Sequence, residues 1–427
     1  MTGTSRVLIA RPGLASRMLS GGAIEAVMTD PVFRSIFIIL IIQGVAFGSQ
    51  MPFMPLWATE RLGVGPVEVG TISLVTSLAT AAFGLSYGVV TDRTRKRVPW
   101  LVLAFGIAIP LRIAIAWTDS FVIGTFLYAV ISMVMFTVFF AILGDWLRHR
   151  SDERGAEITN IIRLGFTIGW LIGSFGAGRV VALFGFDGLF LATAVLQVLS
   201  LAVLVLGVRD APFTNIAPVV EVGGVVAKSV WHDLIQAPMA WYLLSTLCAG
   251  AASVARMTML PLYLKNVVNV DTDGVGIVFG IEPVYEIPIS LLAATVVRRH
   301  GVAPVLYIGF GAGVLYFGAI AFTSTFAPFL AIELLYAIVV TVTFGFGIVH
   351  VQNLLPTRGG TAIAVYNTAS TVGPVVAAPA LGYVAENMGW SPVFVIASVL
   401  MAVACGAFMM SDRASRRARL LRLSGDQ

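Results

Sequence analysis

The chain has 427 residues, of which 58% are hydrophobic and 11% charged, with a mean hydropathy of +0.92. Soluble domains carry about 25% charged residues, so this composition excludes a water-soluble globule and leaves a chain that crosses a membrane many times. The net charge of +5 is no argument for a nucleic-acid partner, because it depends on where the basic residues sit. The two cysteines, Cys248 and Cys405, lie in apolar runs, so neither a disulfide, a cysteine metal site nor a cofactor is expected.

The first residues carry Arg6, Arg11 and Arg17 but no long apolar core, which reads as a cytoplasmic tail over 1–32 and not as a signal peptide. Met28 is a second candidate start. Crossing the hydrocarbon core takes about 20 apolar residues in a helix. Twelve such runs follow, at 33–57, 67–91, 99–117, 120–147, 157–181, 185–208, 238–264, 274–297, 303–323, 327–350, 360–385 and 390–410. The long gap 209–237 is a linker that divides the chain into six-helix bundles over 33–208 and 238–411, with a basic tail at 412–427. Of the 27 Lys and Arg residues, 20 fall in the tails, the linker and the loops on the same side of the membrane, and Arg34 lies at the adjoining end of the first run. The positive-inside rule then puts both termini in the cytoplasm, and the charge is a topological signal.

An internal repeat supports the division. FMPLWATERLGVGPVEVGTI (53–72) aligns with MLPLYLKNVVNVDTDGVGIV (259–278) at a constant offset of 206, pairing Pro55 with Pro261, Leu56 with Leu262 and Gly70 with Gly276. An even number of spans separates the copies, so the halves share orientation. Parallel six-helix repeats are a transporter design in which substrate is handled near mid-membrane between the halves.

The stretch GLSYGVVTDRTRKR (84–97) admits two readings. Its start fits G-x-S-x-G, with Ser86 as nucleophile and His350 as a distant base, but a nucleophile elbow needs a strand-to-helix turn that an all-α chain does not supply. Its end places Asp92 at a helix terminus, followed by Arg93, Arg95, Lys96 and Arg97. Asp92 can meet the positive N-terminus of a helix from the other half and latch the cytoplasmic side. Asp145, near the end of the fourth span, is placed to pair with one of the arginines.

Charges inside spans cost about 2.5–3.5 kcal/mol at a helix centre and mark pathways, relays or binding sites. Glu282 and Glu286 stand four apart on one face of the eighth span, where the neighbouring Pro283 and Pro288 favour a kink. Two close carboxylates disfavour double ionisation, so at least one is a protonatable site. Glu333 adds a third acid in the tenth span, on which Tyr336, Thr343 and His350 form a stripe. Arg163, Arg256 and Arg112 lie in other spans, Arg112 being read as one member of a structural pair. A polar ligand also needs hydrogen-bond partners and aromatic platforms. Gln43 and Gln50 share a face of the first span, Asn160 and Arg163 one of the fifth, and Asn367 and Thr371 one of the eleventh; Tyr285 and Tyr336 supply rings. Gln50 aligns with Arg256 through the repeat. The glycines of GWLIGSFGAG (169–178) are expected to permit close packing against the other half.

GVVTDRTRKR resembles the second-to-third-loop motif of the major facilitator superfamily, with Arg95 where the family usually has glycine. GWLIGSFGAG looks like the glycine-rich fifth-span motif of its antiporters, with Ser174 in place of proline. YEIPISLLAATVVRRHG (285–301), GAGVLYFGAIAF (311–322), VQNLLPTRGGTAIAVYNTASTVG (351–373), Asp152–Glu153–Arg154 and IIRLGFTIGWLIG (161–173) are similar to sugar efflux transporters of that superfamily. The resemblance implies alternating access, outward movement of sugars in exchange for protons, and roles for Arg163, Glu286, Pro288, Gln352 and Arg358. Glu282, Glu333 and Arg112 depart from the pattern. The chain is thus expected to be a monomeric all-α membrane protein of twelve spans, working on protons and a small solute within the bilayer. A multidrug/proton antiporter and a sugar importer are the rivals within transport; an intramembrane hydrolase and a non-transporting receptor are those outside it.

Overall fold

The computed structural model describes residues 21–94, 98–134, 155–208, 236–355 and 359–425. Among the described residues every regular element is a helix. The first half contains α1 (Gly21–Thr29), α2 (Pro31–Gln50), α3 (Met54–Arg61), α4 (Pro66–Thr94), α5 (Val98–Ala116), α6 (Phe121–Val134) and α7 (Gly155–Gly207). The second contains α8 (Ala237–Val254), α9 (Leu260–Asn266), α10 (Thr272–His300), α11 (Val302–Ala321), α12 (Phe326–Val339), α13 (Gly347–Leu354), α14 (Gly359–Met388) and α15 (Trp390–Gly425). Short π-helical segments, Ala255–Met259 and Val340–Phe346, join α8 to α9 and α12 to α13. Ten of the described helical stretches are long and apolar enough to cross a membrane.

Helix boundaries follow local chemistry. Asp30 caps α2, its Oδ1 accepting from Val32 N at 2.8 Å and Phe33 N at 3.3 Å, and Pro31 occupies the first turn, where a missing N–H costs nothing. The first span therefore starts at Pro31, and its expected far end is a separate short helix, α3, beginning beside Pro55. Spans five and six form one helical run, α7, broken at Gly185, whose φ of 66° is available to glycine. α10 stays helical through Pro283 and Pro288. The last helix runs past the apolar segment that ends at 410, since α15 continues through the basic residues to Gly425. Alanine, leucine and arginine are strong helix formers, and Arg416 pairs with Asp412 one turn earlier, at 2.9 Å.

The two halves meet along α7 against α10 and α4 against α14. Hydrogen bonds cross from Thr272 Oγ1 to Gly178 O (3.3 Å) and from Trp170 Nε1 to Phe279 O (3.3 Å), and Ser73 Oγ lies 3.2 Å from Thr258 Oγ1. Arg179 faces Asp273 at 3.6 Å, and Lys265 pairs with Glu60. At Gly276 a Cβ would stand 2.5 Å from Ser174 O, so only glycine lets α10 come this near to α7. Several of these contacts involve residues next in sequence to the turns 62–65 and 267–271, namely Glu60, Lys265, Thr272 and Asp273. The glycine-rich stretch of α7 divides between partners: Gly169 and Gly173 lie against Ile41 and Val45 of α2 in the same half, and Gly178 lies against Thr272 of the other. The expectation that its glycines face the other half is corrected accordingly.

Candidate functional site

Arg256 lies on the π-helical segment Ala255–Met259 and is fully buried. A π turn holds one residue more than an α turn and recurs at functional sites. The guanidinium Nη2 donates to Glu333 Oε2 at 2.7 Å, and Glu282 Oε2 stands 4.0 Å from the same nitrogen. Tyr316 OH donates to the other oxygen of Glu333 at 2.9 Å. The ring of Tyr336 lies 4.0 Å from the guanidinium carbon and that of Phe279 4.4 Å, so the cation sits between two aromatic faces. Glu333, Tyr316 and Tyr336 are as buried as Arg256, and Glu282 is nearly so. An isolated buried charge is very costly, and this one is offset by a carboxylate, a charge-assisted hydrogen bond and two rings.

The cluster joins residues that lie far apart in sequence. Glu282 and Glu286, on one face of α10, nonetheless have different surroundings. Glu282 turns into its own bundle towards Arg256. Glu286 is half-buried, and the opposite charge acting on it is Arg163 of α7, in the other bundle. One acid thus belongs to an internal cluster and the other to the interface between halves.

Gln43 and Gln50 turn into the first bundle. Gln43 Nε2 donates to Ser200 Oγ at 2.9 Å and to Gln197 Oε1 at 3.4 Å. Gln50 Oε1 accepts from Arg112 Nη1 at 2.7 Å, so the expected structural partner of Arg112 is an amide. Asn367 is exposed, and Thr371 Oγ1 donates to its backbone oxygen at 2.9 Å. Tyr285 is half-buried beside Glu286 in sequence. Asn160, Asp92 and Arg93 lie on described backbone of α7 and α4, but their side chains, like that of Ser86, fall outside the described set. Lys96, Arg97, Asp145 and Arg358 lie outside the described residues.

Sequence reasoning passed over Tyr316, Phe279 and the π segments. A tyrosine in mid-span was the available signal for the first, because a buried hydroxyl requires a partner. It also missed an aromatic group around His350, whose ring lies 4.6 Å from Tyr242 and 5.2 Å from Phe408. Tyr242 OH donates to Gly347 O at 2.8 Å, and Tyr366 OH to Thr343 O at 2.9 Å, tying α8 and α14 to the second π segment and its end. The stripe Tyr336, Thr343, His350 is therefore core packing within the second bundle.

Two packed helical halves, membrane-length helices and buried charges beside their interface define a multi-pass membrane transporter. The chain belongs to the Major Facilitator Superfamily, whose profile matches residues 36–357. A Deinococcus radiodurans protein carrying a sugar efflux transporter name is 25% identical over 384 residues, 88% of this chain and 96% of that one. Sugar efflux transporter A of Dickeya chrysanthemi is 24% identical over 384 residues, covering 88% of this chain and 94% of its own. Among solved structures, nucleoside transporter NupG superposes with a TM-score of 0.69 at 17% identity, over 88% of this chain and 98% of that one. These relatives are transporters and not enzymes, which leaves the hydrolase reading of Ser86 without a counterpart among them.

Proposed function

We propose that the protein exports sugars, or closely related small polar solutes, across the cell membrane by alternating access in exchange for protons. The relatives named as sugar efflux transporters support the substrate class and direction. The distribution of basic residues supports cytoplasmic termini, and the repeat at offset 206 supports twelve spans in two parallel six-helix units working as a monomer. With that orientation, the contacts between halves lie towards the outer side.

The observation that carries the coupling is the placement of Glu286, on one half, opposite Arg163 on the other. Protonation of this carboxylate removes the attraction across the interface, and deprotonation restores it, so proton occupancy biases one arrangement of the halves over the other. Sugar hydroxyls are bound by Asn160, Arg163, Asn367, Thr371 and Tyr285 along the facing surfaces. Gln43, Gln50, Arg256 and Tyr336 act behind that surface, and Glu282 and Glu333 complete the set of acids. Asp92 with Arg93, Lys96, Arg97 and Asp145 latches the cytoplasmic end when the cavity faces out.

The test is uptake of radiolabelled lactose into inverted membrane vesicles with an imposed pH gradient, acid inside. The protein accumulates sugar, and Glu286→Gln accumulates none. Accumulation that is absent in the native protein, or unchanged in Glu286→Gln, contradicts the mechanism.

A further inference from the structure

Within the second bundle, two carboxylates share one guanidinium, and their positions are unequal. Glu333 is fully engaged, one oxygen on Arg256 at 2.7 Å and the other on Tyr316 at 2.9 Å. Glu282 has only the longer approach to Arg256, 4.0 Å, outside hydrogen-bond range. With both acids ionised the cluster carries one surplus negative charge in a buried place, and a single proton neutralises it. The acid that gives up least by accepting this proton is the one with the weaker partner.

The same surroundings leave room for a change of partner. Arg256 is fully buried, and its Nε has no hydrogen-bond acceptor, a spare donor held ready for a second carboxylate. The π-helical turn beneath it is a register that can relax to α, carrying the side chain around the helix axis. Tyr336, stacked on the guanidinium, borders a small recess with room for about one water molecule, lined also by Ser253, Phe317, Val339, Thr343 and Met401. Beyond Tyr336 the helix enters the second π segment, Val340–Phe346.

We propose that the coupled proton is shared between Glu286 at the interface and Glu282 inside the bundle, and that Arg256 is a positioning residue which passes from Glu333 towards Glu282 when the proton leaves Glu282. The proposal rests on the proton-coupled reading above. Glu333 and Tyr316 hold Arg256 while Glu282 is neutral. When Glu282 releases its proton to the ionised carboxylate of Glu286, one turn along α10, its new charge draws the guanidinium across, and the segment joining α8 to α9 moves with it towards α10. That helix carries Glu286 at the interface, so proton release inside the bundle reaches the contact between halves. Among the described residues, the groups that act on the pair are Tyr316 from α11, Glu333 and Tyr336 from α12, Glu282 and Glu286 from α10, and Arg163 from α7 through Glu286.

The experiment measures the pH profile of lactose exchange in proteoliposomes, together with accumulation driven by a pH gradient, for the native protein and for Glu282→Gln and Glu333→Gln. In Glu282→Gln, exchange continues but loses its pH dependence, and driven accumulation disappears. In Glu333→Gln, Arg256 belongs wholly to Glu282 and favours its ionised form, so the profile persists and moves to more acidic pH. A native profile in Glu282→Gln overturns the proposal, as does a flat profile in Glu333→Gln. If Glu282→Gln fails to reach the membrane, Glu282→Asp takes its place: a shorter acid, farther from Arg256, moves the profile to less acidic pH, and an unmoved profile overturns the proposal. Failure of the coupling reading itself is distinct, because the native protein then accumulates no sugar under a pH gradient.

Discussion

Substituting Glu333 and Glu282 singly and together measures how Arg256 is held. At an effective dielectric constant of about 20, unit charges separated by 2.7 Å attract by about 6 kcal/mol, and by about 4 kcal/mol at 4.0 Å. In Glu333→Gln the guanidinium keeps the second carboxylate, so the loss is near the difference, about 2 kcal/mol. Glu282 is neutral while Glu333 holds Arg256, so Glu282→Gln replaces one uncharged group by another, and its effect on stability is expected within about 1 kcal/mol of zero. The double variant leaves Arg256 buried without an anion, at a cost of about 3–5 kcal/mol. The double substitution therefore exceeds the sum of the singles by about 1–3 kcal/mol, a coupling typical of residues in one charge network. The assay is equilibrium unfolding of the four proteins in mixed micelles with rising SDS, followed by tryptophan fluorescence. Additivity to within about 0.5 kcal/mol means that the two acids do not share Arg256, and the reasoning fails.

Two further predictions concern the contact between halves. Gly276→Val places side-chain atoms where Ser174 O stands, 2.5 Å from the Cβ position, so this end cannot close; the variant is expected to fold and bind sugar in a thermal-shift assay but not to transport, and transport at the native rate removes the need for the close approach. Lys265→Glu sets two like charges together opposite Glu60. An exposed pair is worth about 0–1 kcal/mol, so the conformer ratio changes by no more than about fivefold, and the swapped pair Glu60→Lys with Lys265→Glu restores it. Fluorescence transfer between labels on turns 62–65 and 267–271 reads the distance, and a swap that restores nothing contradicts a role for the Glu60–Lys265 pair in the contact between halves.

Much of this architecture is legible in the residues because membrane helices obey a length rule and carry few charges. The apolar runs locate the helices, and Glu282, Glu333 and Arg256 are conspicuous because an ionised group inside a span is expensive. Helical spacing also places Glu282 and Glu286 on one face, yet not in one environment, since which neighbour each meets depends on how α8, α11 and α12 pack around α10. Glu333 lies 77 positions from Arg256, and no spacing rule links them. The π turns have no pattern of their own, since their extra residue is absorbed by packing. Gln43 and Gln50 illustrate the same limit: their shared face was readable, but the packing of α2 turned it inward onto Ser200, Gln197 and Arg112. Asp30–Pro31, by contrast, is a local start signal that fixes the first residue of α2 through the chain's own chemistry.

Exchange of sugar for protons is tested most directly by measuring both fluxes at once in proteoliposomes containing a pH-sensitive dye and a lactose gradient as the only driving force. Sugar leaving the vesicles draws protons in, so the lumen acidifies in step with efflux, and Glu282→Gln uncouples the two. Sugar efflux with no pH change, or with protons moving in the same direction as the sugar, contradicts the account.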